Sequence, residues 1–384
     1  MMAWPEDELL MIPGPTNLPD EVREALAQPS VYHRGERAAE LLESCTDGLR
    51  RVFGTQGDVL ILTCSGTGGV EAAVANFLSP GDRVLCVQAG KFGERMGEIA
   101  EAFGAEVSRC GFEYGRAADP EVVRAQLTTG DFRALLCVHN ETSTGVMHDV
   151  ASLAAVAREA GCLIIVDCIS CLAGVPVLAD AWGLDVVVGG SQKCLMLPPG
   201  MAFVAVGPEA WAAAEAATMP KYYFDLPEAL DSLSKGQTPY TPNVSLLVAL
   251  EAALRLIEAE GLAAVFARHK AMAKAVRAAM EAAGLELFAD PEHASNTVTA
   301  VRSPEGVDSV ELVRNIWERH RVLISGGQGE LRGRIFRIGH MGVVQLPHVL
   351  RTVEAVADGL TRLGYACDAA VMQEAAKFAA ANAG

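Results

Sequence analysis

Short apolar runs alternate with amphipathic stretches along the first half of the chain. The runs are rich in β-branched residues and lack polar alternation, as in VLILTC (Val59–Cys64), RVLCVQ (Arg83–Gln88), ALLCVHN (Ala134–Asn140), CLIIVDC (Cys162–Cys168), DVVVGGSQK (Asp185–Lys193) and MAFVAV (Met201–Val206). Such runs are typical of strands that are buried on both faces. The segments between them have helical periodicity. The pattern therefore predicts an α/β fold with a mainly parallel central sheet flanked by helices.

The hydrophobic pattern changes after about Gly261. A long helical stretch (Ala264–Ala283) is followed by weaker alternating runs, Thr297–Arg302 and Arg334–Gly342, and by a last helical segment, Leu346–Leu363. A chain of 384 residues also exceeds what one hydrophobic core usually organises. We therefore expect an N-terminal arm (residues 1–16), a large α/β domain (residues 17–260) and a smaller C-terminal α+β domain (residues 261–384).

The charge and the cysteines limit the classes of partner and compartment. The formal net charge of −17 argues against nucleic acid or an anionic membrane as a partner, because either needs a basic surface. The longest apolar runs, such as Cys162–Val166, are too short to span a bilayer. The 10 cysteines are scattered rather than arranged as a short disulfide framework, which favours a reducing compartment. We expect a cytoplasmic protein.

The strongest chemical signal is Lys193, which follows the apolar strand VVVGG and precedes a Pro-Pro-Gly turn. A lysine at the end of a core strand needs a reason, because burying an ammonium group is costly. Desolvation lowers the pKa of an amine, and the neutral amine can then condense with an aldehyde as a Schiff base. The alternative is a solvated loop lysine.

Two further features favour the activated amine. Asp167 closes the apolar run CLIIV, at the edge where open parallel sheets bind ligands, although an aspartate there can also cap a helix. The turn from Ser65 to Gly69 would let backbone N–H groups and the Thr67 hydroxyl reach a phosphate at a helix N-terminus. This turn is not a dinucleotide fingerprint, since Glu71 occupies the third glycine position, and tight packing alone could explain its glycines.

Other residues fit the same ligand, each with a plainer alternative. Phe92 could stack on an aromatic ring or belong to the core, and Thr142 could bind a ring oxygen or cap a helix. Arg337 could bind a carboxylate through two hydrogen bonds or lie on a surface strand. Cys168 and Cys171 form a C-x-x-C pair without a second pair at zinc spacing, so we expect buried thiols and no metal.

Taken together, these residues resemble the class V aminotransferases of fold type I, in the alanine–glyoxylate and serine–glyoxylate aminotransferase group. The resemblance covers nearly the whole chain and keeps its order. It rests on PGPTNLP (Pro13–Pro19), SGTGGVEAA (Ser65–Ala73), GKFGER (Gly90–Arg95), NETSTG (Asn140–Gly145), VDCIS (Val166–Ser170), GSQKCLMLPPG (Gly190–Gly200), TPYTPNVS (Thr238–Ser245) and RIGHMG (Arg337–Gly342).

The resemblance implies pyridoxal 5′-phosphate (PLP) as the cofactor. Lys193 would hold it covalently and move the proton, Asp167 would pair with its pyridine nitrogen, Phe92 would stack on its ring and Thr142 would contact its phenolic oxygen. The group around the phosphate would be Thr67, Gly68, Gly69 and Gln192.

The resemblance also implies a homodimer with its active sites at the interface. The phosphate would be reached from the neighbouring subunit by Thr241, with Tyr240 or Thr238. Arg337 would bind the substrate carboxylate, near backbone of the arm at Pro13, Gly14 and Asn17.

The implied activity is transfer of an amino group from a small amino acid, alanine or serine first, to glyoxylate or pyruvate. Pyridoxamine–pyruvate and 2-aminoethylphosphonate–pyruvate transfer stay open, although Ser65 stands where the former enzymes place an acid. A cysteine desulfurase-like lyase is disfavoured, because Ser325, Gly326 and Gly327 occupy the loop that would carry its cysteine. A scaffold without catalysis is disfavoured by the joint presence of Lys193, Asp167 and Arg337. The sequence does not identify the donor.

Overall fold

The computed structural model describes residues 8–383, so the first seven residues of the expected arm lie outside the described residues. The strands in this part of the chain are β1 (Leu9–Leu10), β2 (Asp58–Leu62), β3 (Arg83–Gln88), β4 (Glu106–Gly111), β5 (Ala134–Val138), β6 (Asn140–Glu141), β7 (Val146–Met147), β8 (Leu163–Asp167), β9 (Val186–Gly190), β10 (Ala202–Val206), β11 (Val298–Arg302), β12 (Val322–Leu323), β13 (Ser325–Gly326) and β14 (Ile335–Gly339).

Helices separate most of these strands. They are α1 (Asp20–Leu26), α2 (Glu36–Phe53), α3 (Gly66–Phe77), α4 (Lys91–Ala102), α5 (Pro120–Leu127), α6 (Val150–Glu159), α7 (Ala179–Trp182), α8 (Pro208–Ala214), α9 (Leu226–Ser234), α10 (Val244–Glu260), α11 (Leu262–Ala282), α12 (Ser309–His320), α13 (Leu346–Arg362) and α14 (Ala369–Ala381).

The central sheet has seven strands in the order β2-β10-β9-β8-β5-β3-β4. β10 runs antiparallel to both its neighbours, and the other pairs are parallel. The register pairs Val138 with Asp167 and Asp167 with Val188, so the carboxyl ends of β5, β8 and β9 lie side by side. The α/β fold with a mainly parallel sheet is confirmed.

Both faces of the sheet are covered, as the absence of polar alternation predicts. In β8, Ile164 and Val166 pack into one apolar cluster, whereas Leu163 and Ile165 pack into the cluster on the other face. Successive side chains of a strand point to opposite faces, so each face of β8 contributes to a separate core. Complete burial of one such side chain stabilises the fold by about 1.5–3 kcal/mol.

A second, smaller sheet of order β11-β14-β13 is antiparallel and lies in the C-terminal part of the chain. The short strand β1 of the arm pairs in parallel with β12 of this part. The amide of Gly339, at the end of β14, donates a hydrogen bond to the carbonyl oxygen of Met11 at 2.7 Å. The N-terminal arm is therefore tied to the C-terminal segment of the chain.

Most of the elements predicted from the sequence are present with small shifts of their ends. The helix expected at Ala264–Ala283 spans Leu262–Ala282, and the last predicted helix ends one residue early, at Arg362. Among the elements that the pattern did not predict are α2, β4, α5, α10 and α14. Among residues 8–383, the helices are all too short or too polar to cross a lipid bilayer.

Candidate active site

A cavity of about 150 Å³ lies at the carboxyl ends of the central strands. Six of the residues singled out from the sequence line it, namely Thr67, Phe92, Thr142, Asp167, Gln192 and Lys193. These residues are far apart in the chain, and the sheet brings them together because parallel strands end at one edge.

Lys193 follows β9 and reaches into this cavity. Its Nζ donates a hydrogen bond to the carbonyl oxygen of Pro13, in the N-terminal arm. Burial lowers the pKa of the amine to about 8, and the negative charge of Asp167 partly opposes that shift. About a tenth of the amine is therefore neutral at pH 7, far more than for an ordinary lysine, and the neutral form is the one that attacks carbonyl carbon.

Asp167 ends β8 in the floor of the same cavity and is buried. Its Oδ1 accepts a hydrogen bond from the amide of Ile169 at 2.8 Å. Burial raises the pKa of the carboxyl group to about 7, although the amide of Ile169 and the charge of Lys193 oppose the shift. A cation placed next to this carboxyl group would favour its ionised form.

The glycine-rich turn forms the N-terminus of α3, which begins at Gly66. The first amides of a helix have no partner within the helix, so those of Gly66 and Thr67 are available to an anion in the cavity. A side chain at Gly66 would come within 2.6 Å of Ile169 Cδ1, which explains the glycine there.

Gly68 and Gly69 are not among the residues that line this cavity. A Cβ at Gly69 would lie 2.8 Å from Val188 and 2.9 Å from Ala202, on the central sheet. Its amide donates to the carbonyl oxygen of Ser65 at 3.2 Å. Gly69 therefore permits α3 to pack closely on the central sheet.

Arg337 lies on β14 and is buried. Its guanidinium donates to the carbonyl oxygen of Gly326 at 3.0 and 2.8 Å and to that of Thr142 at 2.9 Å. Burial lowers the pKa of the guanidinium to about 10, and the negative charge of Glu141 opposes part of that shift. The guanidinium is therefore held in one orientation next to the cavity.

The arm approaches the lysine mainly through its backbone, and the Thr16 hydroxyl donates a hydrogen bond to the carbonyl oxygen of Lys193 at 3.1 Å. A Cβ at Gly14 would lie 2.5 Å from Lys193 Cδ and 2.8 Å from the carbonyl oxygen of Gln192, so the arm approaches the lysine closely. The Asn17 side chain bonds the backbone of Leu10, accepting from its amide at 3.0 Å and donating to its carbonyl oxygen at 2.8 Å. Asn17 thus braces the arm.

Tyr240 and Thr241 lie outside the lysine cavity of the same chain. They line a separate cavity of about 50 Å³ with Tyr223 and Thr63. The Tyr240 ring stacks on that of Tyr223, with centroids 5.3 Å apart and planes at 11°. The side chain of Thr238 donates a hydrogen bond to the carbonyl oxygen of Tyr240 at 2.6 Å.

Glu141, which was not predicted as a site residue, is a buried carboxylate beside the cavity. It accepts hydrogen bonds from the amides of Phe92 at 3.1 Å, Gly93 at 3.0 Å and Ser143 at 3.1 Å. Glu141 therefore joins the loop that carries Thr142 to the start of α4. The available signal was an acidic residue three positions after the apolar run ALLCV.

Asn140 was missed as well, although it lines the cavity and is buried. Its Nδ2 donates to Ser170 Oγ at 2.8 Å and to Thr297 Oγ1 at 3.0 Å. Its Oδ1 has no hydrogen-bond partner among the described residues. A buried acceptor without a partner at a cavity wall indicates a polar ligand or a bound water.

His340, to which the sequence assigned no role, is buried away from the lysine. Its Nε2 lies 3.0 Å from Thr299 Oγ1 and its Nδ1 lies 3.1 Å from the carbonyl oxygen of Asn296. Burial holds its pKa well below the usual value for histidine. A neutral ring with both nitrogens bonded in this way braces the end of β14.

Known proteins match the chain over most of its length. A "Soluble hydrogenase, small subunit" of Synechococcus is 42% identical over 361 residues, covering 93% of this chain and 94% of that protein. The L-aspartate–glyoxylate aminotransferase of Paracoccus denitrificans is 38% identical over 340 residues, covering 87% of this chain and 86% of that protein.

A solved structure agrees in fold across the full chain. The crystal structure of ureidoglycine–glyoxylate aminotransferase from Bacillus subtilis superimposes with a TM-score of 0.93 at 29% identity, covering 99% of both chains. Residues 10–336 match the family described as Aminotransferase class-V. With a half-buried lysine and a buried aspartate at the mouth of a fold type I sheet, this protein belongs to the class V aminotransferases.

Proposed function

We propose that the protein transfers an amino group from a small amino acid, alanine or serine first, to glyoxylate or pyruvate. The observation that carries the proposal is that Lys193 and Asp167 line one cavity. They come from the carboxyl ends of the neighbouring strands β9 and β8. The cofactor of this class V aminotransferase is PLP, which supplies an electron sink for the carbanion formed at the substrate carbon.

The residues present fit that cofactor. The cavity offers an amine of lowered pKa, a buried carboxyl group and the N-terminus of α3 for a phosphate. We propose that Thr67 and Gln192 contact the phosphate and that Gly68 and Gly69 allow the helix to approach it. Phe92 would stack on the ring and Thr142 would hold its phenolic oxygen.

Lys193 has the properties of a proton carrier. Its pKa of about 8 lies close to neutral pH, where a group can both take and return a proton. We assign to its Nζ the removal of the substrate α-proton and its return to the other carbon. Asp167 would stay ionised beside a protonated pyridine nitrogen, since each charge favours the other.

Arg337 is oriented to bind the substrate carboxylate. Its hydrogen bonds to Gly326 and Thr142 go to carbonyl oxygens, and the carboxylate of Glu141 acts on its charge without a hydrogen bond. A second carboxylate would gain two parallel hydrogen bonds from the guanidinium. The backbone of Pro13 and Gly14 would close this side of the cavity, with Asn17 bracing the arm.

We propose a homodimer in the cytoplasm, with Tyr240 and Thr241 completing the partner's site. Thr241 is exposed, and the half-buried Tyr240 packs next to Tyr222, which is 80% exposed, so this surface supports an interface. The cysteines within the described residues are free, as a reducing compartment favours. The expected domain division at residue 261 falls between α10 and α11, where Gly261 has a φ of +83°.

The names of the relatives do not agree on one activity. One is called a hydrogenase subunit, and another acts on L-aspartate and glyoxylate. The lysine and aspartate of this chain are the groups that amine transfer needs, and they support the aminotransferase. The donor stays to be found by experiment, and L-aspartate belongs among the candidates.

The test is an absorbance titration of the purified protein with PLP, followed by separate additions of alanine, serine, aspartate, 2-aminoethylphosphonate and free pyridoxamine. We expect a yellow protein that is bleached by one donor and regains its colour with glyoxylate or pyruvate. Lys193→Ala removes the yellow species, whereas Lys235→Ala, an exposed lysine paired with Asp231, keeps it. A wild-type protein that binds no PLP, or a Lys193→Ala protein with the same spectrum, would refute the proposal.

A further inference from the structure

A second group of reactive side chains lies behind the cofactor cavity. Val138 and Asp167 line the cavity, and the residues that follow them are His139 and Cys168. The hydrogen-bond ladder continues to both, because the His139 amide donates to Asp167 at 2.9 Å and the Cys168 amide to Val188 at 2.8 Å. Side chains alternate along a strand, so His139 and Cys168 point to the opposite face of the sheet.

Cys171 completes the group. The turn after β8 is closed by a hydrogen bond from the Cys171 amide to the carbonyl oxygen of Cys168 at 3.1 Å. This turn brings the Cys171 thiol to the same imidazole. His139 Nδ1 lies 3.7 Å from Cys168 Sγ and 3.5 Å from Cys171 Sγ, and the three atoms lie within 4.8 Å of one another.

These separations suit a single metal ion. With Zn–S bonds of about 2.3 Å and Zn–N bonds of about 2.0 Å, the ligand atoms of a tetrahedral zinc site lie about 3.5–3.8 Å apart. We infer that His139, Cys168 and Cys171 form a binding site for a thiophilic metal ion, with Zn²⁺ as its natural occupant. The site is separate from the cofactor cavity and does not rest on the proposed function.

The charge of the site balances. Both thiols are fully buried and His139 is nearly so, within the apolar cluster of one sheet face. Two thiolates and a neutral imidazole carry two negative charges, which a divalent zinc ion neutralises. The metal therefore adds no net charge to an interior in which an unpaired charge would be costly.

The donor set and its surroundings favour the same ion. Thiolate and imidazole ligands select zinc over the oxygen-preferring Mg²⁺ and Ca²⁺. The edge of the His139 ring packs on Trp182, with centroids 5.8 Å apart and planes at 85°, which holds the imidazole in one orientation. Among the described residues this group has three members, so a fourth position is left, which water fills in zinc sites with three protein ligands.

The sequence did not predict this site, because it contains a single C-x-x-C pair without a second pair at zinc spacing. The third ligand comes from the neighbouring strand, 29 residues before Cys168. A metal here would join the end of β5 to the turn after β8. It would thereby hold the segment that directly follows Asp167.

The test uses full-length protein produced in zinc-supplemented medium and dialysed against a chelator. Elemental analysis is expected to find about one zinc per chain in the wild type. Cys168→Ala and Cys171→Ala lower that content at least about tenfold, because each removes one of three ligands. Cys110→Ala removes a buried thiol that is not part of the group and keeps the zinc.

A second measurement does not depend on the folding of any variant. Wild-type protein refolded with Co²⁺ in place of zinc is expected to show thiolate-to-cobalt absorption, which added Zn²⁺ removes. The inference is overturned if the wild type holds no stoichiometric zinc and shows no such absorption. It is equally overturned if the Cys168→Ala/Cys171→Ala double variant, folded by circular dichroism, retains the wild-type zinc content.

Discussion

The amine of Lys193 donates its hydrogen bond to the carbonyl oxygen of Pro13, a residue 180 positions earlier in the chain. The contact joins the lysine that follows β9 to the N-terminal arm. Gly14 follows directly, with a φ of +86°, and its α-carbon faces the lysine side chain. The geometry of the arm therefore sets the position of the amine.

Replacing Gly14 by alanine is expected to displace the lysine. The new Cβ would lie 2.5 Å from Lys193 Cδ, and a side chain at positive φ also costs about 1–2 kcal/mol. Gly81→Ala is the matched control, since Gly81 has the same φ of +86° and no atom within 4 Å of an added Cβ. We expect both variants to lose stability in urea and Gly14→Ala alone to lose PLP affinity. Equal PLP affinity in the two variants would contradict the role of the arm.

The attachment of PLP is expected to accelerate as the pH rises towards 8. Burial lowers the pKa of Lys193 from 10.5 to about 8, and the neutral amine is the attacking form. Below its pKa, the neutral fraction rises about tenfold per pH unit. Stopped-flow absorbance of the cofactor-free protein mixed with PLP measures this, with N-acetyl-lysine as the solvated comparison. A rate that keeps rising towards pH 10.5, as for the free amine, would show that the amine is not buried.

Arg337→Lys is expected to weaken substrate binding without altering the cofactor. A lysine cannot keep the contacts to Gly326 and Thr142 while offering a carboxylate two hydrogen bonds. The loss of about 1.5–3 kcal/mol for hydrogen bonds to a charged group corresponds to a KM about 10- to 100-fold higher for the amino donor. Steady-state kinetics give the KM, and Arg302→Lys, an exposed arginine on β11 paired with Glu286, keeps it. An unchanged KM in Arg337→Lys would remove this residue from the substrate site.

Glu141→Gln is expected to lower both stability and PLP affinity. The amide replaces a carboxylate that accepts from Phe92, Gly93 and Ser143, and it brings hydrogen-bond donors towards other donors. Loss of such a buried acceptor costs about 1–3 kcal/mol, measurable by urea unfolding. Asp149→Asn, at the exposed N-cap of α6, is the control and should change stability alone. If Glu141→Gln binds PLP as tightly as Asp149→Asn, then the hydrogen bond from the Phe92 amide to Glu141 does not position Phe92 for the cofactor.

Mixed dimers test whether each site draws on two subunits. Lys193→Ala protein lacks the amine, and a Tyr240→Ala/Thr241→Ala protein would lack the groups supplied to its partner. Random exchange of subunits creates hybrids with one complete site, so about a quarter of the wild-type activity per subunit is expected to return. The two proteins assayed apart provide the baseline. Failure to recover activity, with hybrids shown by mass spectrometry, would place Tyr240 and Thr241 outside the site.

Local patterns were sufficient to predict the central sheet and the two main site residues. β8 is an apolar run that ends at Asp167, and β9 is an apolar run followed three positions later by Lys193, so each places a charged residue where burial needs an explanation. Lys193 and Asp167 could be found in this way because the carboxyl ends of parallel strands share one edge. β4 was missed because it lies at the edge of the sheet, with several half-exposed side chains and no continuous apolar run.

Roles that depend on contacts between distant elements could not be read from the sequence. The glycines of the turn after β2 had two explanations, a phosphate and tight packing, and only the fold shows that a Cβ at Gly69 would meet Val188 and Ala202. Asn17 was expected to contribute backbone near the substrate, and the sequence did not indicate that its side chain bonds the backbone of Leu10. Glu141 gains its importance from amides of another helix, which no local pattern encodes.

The bond between Gly339 and Met11 has a consequence for the timing of assembly during synthesis. The ribosome makes the arm first, yet the arm acquires its partners in β12 and β14 only after more than three hundred further residues have been added. Until then Pro13 has no fixed place from which to hold the lysine, and Arg337 does not yet exist. A nascent chain therefore cannot complete the cofactor pocket, and loading with PLP belongs to the finished polypeptide.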